Sequence, residues 1–158
     1  MLVISLLGLC FGAVYEWLLI GLRAATAANR REDVRRQLSR AMDQLTREIA
    51  SAYDVDVAQD QRFQFDARDI NGDGGNDTNI NYRVTSGDLE RVENGITVVF
   101  SRDLTALDFD YIDNTGATLS TPVAGSAEDT IRIVQITMTA ASGSESVSLA
   151  GAAYLRNM

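Results

Sequence analysis

The sequence has no histidine and no lysine, one cysteine and one proline. Without histidine there is no imidazole base, no Ser-His-Asp triad and no imidazole ligand for zinc, iron or copper. Without lysine there is no Schiff-base amine and no P-loop lysine, and all 14 cationic side chains are arginines. The lone Cys10 excludes an intrachain disulfide and a thiolate metal cluster. A single proline and a hydrophobic content of 46% exclude a low-complexity or disordered chain. What remains is 158 residues, enough for one domain with its own core plus an appendage. Most of the usual catalytic side chains are missing, and no enzymatic activity is expected.

Charge is divided unevenly along the chain. Residues 1–53 hold seven arginines against five acids, whereas residues 54–145 hold six arginines against seventeen acids. The acidic part repels phosphate backbones, so no direct nucleic-acid binding is expected from it. It suits divalent cations better.

The first 22 residues, "MLVISLLGLCFGAVYEWLLIGL", carry one charge, Glu16. As a helix they span roughly the 30 Å hydrocarbon core of a bilayer. Gly8 and Gly12 form a G-x-x-x-G pair that lets helices approach closely. Tyr15 and Trp17 read as interfacial anchors or bundle packing, and Cys10 as a small packed residue. Glu16, costly if left unpaired among packed helices, reads as an interfacial residue that snorkels or pairs with an arginine of a neighbouring helix. Arg23, Arg30, Arg31, Arg35 and Arg36 follow the apolar run. By the positive-inside rule they would hold that flank in the cytoplasm, against export of the acidic part. Either a basic leader precedes Met1 or the rule does not decide this chain.

From Ala24 to Ala52 there is no proline or glycine. Val34, Leu38, Ala41, Leu45, Ile49 and Ala52 recur at spacings of three and four, and charged residues cover much of the rest. Asp43 and Arg47 form an acid-before-base pair at i,i+4. The pattern predicts one helix from Met1 to about Tyr53, apolar all round over residues 1–22 and one-sided over 23–53.

After Tyr53 the period changes to two. "RFQFDA", "INYRV", "DLERVE", "ITVVFS", "LDFDYID", "TIRIVQITMTA" and "SVSLAGAAYLR" are short, β-branched or aromatic, and bounded by Gly, Asn, Asp or Ser. Tight turns are expected at Ser86-Gly87 or Gly87-Asp88 and through Asn114 and Gly116. Asp108 and Asp110 alternate with Phe109 and Tyr111, the solvent face of a strand rather than a paired-acid site with Asp113. Tyr154 is expected to pack in the sheet. Strands in succession predict an antiparallel sheet over residues 54–158, with one face on the helical stripe: an α+β fold.

The acidic loop, residues 66–81, contains "DINGDGGND". Asp69, Asn71, Asp73, Gly75 and Asp77 fall at positions 1, 3, 5, 7 and 9 of an EF-hand-like calcium loop, with Gly74 at position 6. Position 12 is Ile80 rather than the bidentate glutamate. The segment reads either as a calcium site of weak affinity, about 10⁻⁴ to 10⁻³ M, or as an Asx-rich turn between two strands.

A long helix, apolar then amphipathic, followed by an antiparallel sheet resembles the type IV pilin and type II secretion pseudopilin superfamily. "MLVISLLGL" is similar to the interior of their N-terminal segment. "RRQLSRAMDQLTREIASA", the D-x-N-G-D-G loop, "INYRV…GDLERV" and "LTALDFDYIDNTG" follow in the order of the PilW/GspJ-like minor pilin class. The families' basic leader, Phe-Thr-Leu and early glutamate would lie upstream of Met1. The resemblance implies a filament subunit, minor or major. Its apolar helix sits in the bacterial inner membrane as a single pass, then joins a helical bundle with other pilins in a periplasmic or extracellular filament. It leaves open whether such a filament serves secretion, adhesion, motility or DNA uptake. The second reading is a membrane-anchored extracytoplasmic domain that holds cations or a partner protein.

Overall fold

The computed structural model describes residues 2–155 apart from 71, 73 and 144, and side chains from Val14 onward apart from those three and residue 142. Leu2–Ile49 form one helix, α1. The stripe read from the sequence is where the helix is covered: Leu38, Ala41, Met42, Leu45 and Ile49 are buried, and Val34 is partly buried at its start. Before Val34 the described helix is exposed almost throughout, Trp17 at 81% and Leu18, Ile20 and Leu22 with it. Among the described residues no helix is both long and apolar enough to cross a membrane. Residues 1–13, most of the apolar run, lie outside those whose side chains are described.

The helix stops at Ile49, short of the expected Tyr53. Ser51 closes it, its hydroxyl donating to the Glu48 carbonyl at 2.6 Å. Ala52 and Tyr53 instead open a strand missing from the sequence reading, β1 (Ala52–Gln59). Ala52 sits three residues after Ile49 and so fits a helical stripe. The alternation through Val55 and Val57, with β-branched side chains that suit a pleated surface, decides for strand. Among the described residues the ion pair within this helix joins Glu32 to Arg36 at 3.0 Å, rather than Asp43 to Arg47.

The remaining chain forms two antiparallel sheets rather than one. The first holds β1, β2 (Arg62–Arg68), β3 (Asn76–Thr85), β4 (Asp88–Glu93) and β5 (Ile96–Ser101), neighbours in chain order. The second is ordered β7 (Thr118–Leu119), β6 (Leu104–Asp113), β8 (Ile131–Ser142), β9 (Glu145–Tyr154). A 3-10 helix, Gly125–Thr130, leads into β8. The break between sheets falls at Arg102-Asp103, where Asp103 turns with φ +58°. The sheets share an aromatic core: Phe63 of β2 lies 5.9 Å from Phe109 and 5.8 Å from Tyr111 of β6, centroid to centroid. Asp108 and Asp110 are exposed between these buried rings, as their alternation predicts. Tyr154 differs: it is 63% exposed, on the face of β9 turned away from the core.

Two-residue turns set the register of the first sheet. Ser86-Gly87 and Asn94-Gly95 all have positive φ, between +49° and +85°, the combination that matches the twist of paired strands. Each turn joins an opposed pair, Thr85 to Asp88 and Glu93 to Ile96. The turn through Asn114 and Gly116 brings Tyr111 opposite Leu119.

The helix runs along β9 in the same direction. Early β9 residues, Glu145 to Leu149, border α1 at Ala24 to Arg35, and Gly151 lies under Met42 and Thr46. A Cβ at residue 151 would stand 2.8 Å from Met42 Sδ and 3.2 Å from its Cγ, so glycine sets how closely the helix lies on the sheet. Gly151→Val is therefore expected to lower stability by about 1–3 kcal/mol through overpacking, measured by urea denaturation. Adding Met42→Ala should recover part of that loss, because it removes the clashing atoms.

Candidate functional site

Among the described residues Glu48 is the charged side chain that α1 turns inward, and it is only 4% exposed. Three elements meet on it: α1 itself, β3 and β4. Gln44 donates to its Oε1 at 2.9 Å, and Tyr82 (β3) and Arg91 (β4) donate to its Oε2 at 2.8 and 2.7 Å. Arg91 also donates to Glu93 through its other nitrogen. Burial, and then the neighbouring Glu48 carboxylate, push the Tyr82 phenol up, so it stays a donor. Burial opposes the charge on Arg91, but the bonds to Glu93 and Glu48 more than offset it. Two carboxyl groups share one guanidinium in a largely buried cluster. The arrangement fastens the helix to the first sheet.

The sequence reading did not find this junction, although a signal was present. Glu48 follows Ala41 and Leu45 at helical spacing, which places it on the buried face. Arg91 and Glu93 share the parity of the buried Leu89 on a short strand, which puts both on its face.

The acidic loop joins β2 to β3. Asp69 is exposed with φ +22°, Gly74 and Gly75 are exposed, and Asp77 is 5% exposed. The Asp77 carboxylate accepts the Ile70 backbone N–H at 2.6 Å, and Asp66 accepts the Asn79 N–H at 2.7 Å. Two of its acids thus pin backbone across the loop, the role that Asx residues play in turns. Asn71 and Asp73 lie outside the described residues. Among the described residues no three acidic, cysteine or histidine side chains converge as a metal-holding group.

Of the residues expected to act in assembly, Gly8 and Gly12 lie within α1, with their surroundings outside the described set. Glu16 is exposed on the same helix. Tyr15, Trp17, Leu18, Ile20 and Leu22 around it are large, apolar and uncovered by the chain's own domain. A groove of about 610 Å³ separates the stalk from β9, between Ala24–Arg35 and Glu145–Leu149. At the opposite end the acids gather: burial, then Asp129, Asp56 and Asp54 push the Glu128 carboxyl up. Burial together with Asp60, Asp108 and Asp110 pushes the Tyr111 phenol up.

No protein-family model matches the sequence, and no curated protein matches it at a significant level.

Two measurements probe these features. Arg91→Met leaves the buried Glu48 and the half-buried Glu93 without their cation and is expected to cost about 3–5 kcal/mol; a double change, Glu48→Leu with Arg91→Met, should cost clearly less in the same denaturation assay. Asp77→Ala removes the pin to Ile70 and is expected to cost about 1–3 kcal/mol in the presence of chelator. The calcium reading adds a separate condition: the melting temperature of the parent chain rises when millimolar calcium replaces the chelator.

Proposed function

We propose that the chain is a structural subunit, minor or major, of a type IV pilus-like or type II secretion filament, held in the inner membrane before assembly. The observation that supports this reading is the helix α1, packed by its own domain only from about Val34 onward. The described part of its apolar segment, from Val14 to Leu22, stays uncovered. Exposed apolar surface of that extent demands a partner. A helix that is apolar all round finds it in lipid or among other helices. A bundle of such stalks exchanges one kind of apolar burial for the other, so the transfer costs little and an external motor sets its direction. The arginines of the stalk and the acids of the domain supply complementary charge between neighbouring subunits. The acidic loop then acts on stability and assembly, through its own turn or through calcium.

Cys10 gives the test. In cells, oxidation is expected to link Cys10 of successive subunits into adducts that form ladders on a gel. A chain that stays monomeric, with Cys10 reacting with lipid-borne labels, overturns the filament reading in favour of a membrane-anchored binding domain.

A further inference from the structure

Each sheet ends in edge strands, and natural edges are usually blunted by charge, bulges or brevity. β1 carries Asp54 and Asp56 and two irregularities in its pairing, and Ala58 bridges to Val123. β7 has only two residues. β5 has none of these protections along its outer half. Ile96, Thr97, Val98 and Val99 are uncharged, and the three apolar ones are 68%, 47% and 41% exposed. The other open edge is β9. Five consecutive residues, Glu145 to Leu149, border the 610 Å³ groove beside α1. Side chains of one strand face alternate sides, so a run of consecutive residues means that the groove is bordered by the strand's free backbone edge.

The two edges match in direction. β9 runs with α1, as Gly151 under Met42 and Leu149 beside the earlier stalk show. β5 runs against it: Val98 lies opposite Arg91, whose guanidinium reaches Glu48, whereas Phe100 lies beside Asp33 to Arg40. Two copies with parallel stalks can therefore pair β5 of one with β9 of the next in the antiparallel sense. Pairing of β5 with β5 would point the stalks in opposite directions.

The faces match as well. Ile96 and Val98 lie opposite Glu93 and Arg91, on the α1 side of the first sheet. Val147 and Leu149 share the α1 side of the second sheet with Gly151. A register that sets Val98 against Val147 and Ile96 against Leu149 keeps both stalks on one face. It also points Ile96 and Val98 at Ala24, Ala27 and Ala28 of the neighbour. The charges agree too: Arg102 and Asp103, just after β5, arrive at the mouth of the groove, where Glu145, Arg31 and Arg35 stand.

We infer that the occupant of the groove beside β9 is β5 of a second copy of this chain, added as an antiparallel strand so that the sheets of successive subunits become continuous. The contact is heterologous: each copy offers β5 to one neighbour and accepts a strand from another, which generates an open helical array rather than a closed dimer. The inference rests on the filament reading, because parallel stalks select this pairing.

The test uses the full chain with Cys10→Ala and the double change Thr97→Cys, Ser148→Cys, two exposed side chains brought opposite by this register. Mild oxidation in cells is expected to give a ladder of adducts with the double variant and none with either single variant. The pair Val99→Cys, Ser146→Cys should behave alike and guards against local disturbance at one site. Adding Val98→Lys, which drives a charge against the alanines, should abolish the ladder while circular dichroism shows an unchanged fold. If Thr97→Cys alone forms dimers as readily as the double variant, β5 pairs with itself and the inference falls. If neither pair forms adducts while Cys10 of the parent chain forms its ladder, the filament reading stands and the strand addition is overturned. If all three fail to form adducts, both fall.

Discussion

The orientation of the stalk depends on a carboxylate held where water cannot solvate it. A lone charge at Glu48 would be strongly destabilising, and three donors make it tolerable: Gln44 one turn earlier on the helix, and Tyr82 and Arg91 from two adjacent strands. Because those strands are separate elements, the bonds fix the rotation of α1 about its axis as well as its position. The glycine at residue 151 provides the second point of attachment, on the other sheet, by letting Met42 close on the backbone. Two fixed points along a stiff helix determine where its far end goes.

The sequence carried the large features, because each rests on a periodic pattern that is long compared with its interruptions. The stripe from Val34 to Ile49 and the alternations around Phe63, Phe109 and Ile136 fall where the structure buries them. Local chemistry marked a turn at Ser86-Gly87 or Gly87-Asp88, and the structure takes the first, with positive φ at both residues. What escaped was set by non-local contacts. β1 was hidden because Ala52 also fits the helical stripe and the alternation through Val55 and Val57 is short; its pairing with β2 adds what the local pattern lacks. The division into two sheets turns on Arg102-Asp103, an exposed dipeptide with no pattern of its own. The Glu48 junction joins residues 34 and 43 positions apart in the chain, a distance no window spans. Tyr154 shows the opposite failure: aromatic character suggested burial, but its parity on β9 faces solvent.

The charge division also acquires a spatial meaning. Arginines populate the stalk, including Arg31 and Arg35 at the groove, while Asp54, Asp56, Asp60, Glu128 and Asp129 lie on the domain's first strand and on the turns around it. Within one copy, burial and then the neighbouring aspartates raise the Glu128 and Tyr111 titrations. Arginines brought by another copy would relieve that repulsion. Such a contact between exposed side chains would weaken with salt.

The shared direction of α1 and β9 has a mechanical consequence. A pull on the stalk reaches the second sheet lengthwise, through the side chains packed along β8 and β9. The ten residue pairs that join β8 to β9 lie across that pull, so they bear it together, in shear. Had the helix crossed the strands at a right angle, the same pull would have opened the pairs one at a time, like a zipper. A domain attached in this way resists being dragged from its own anchor.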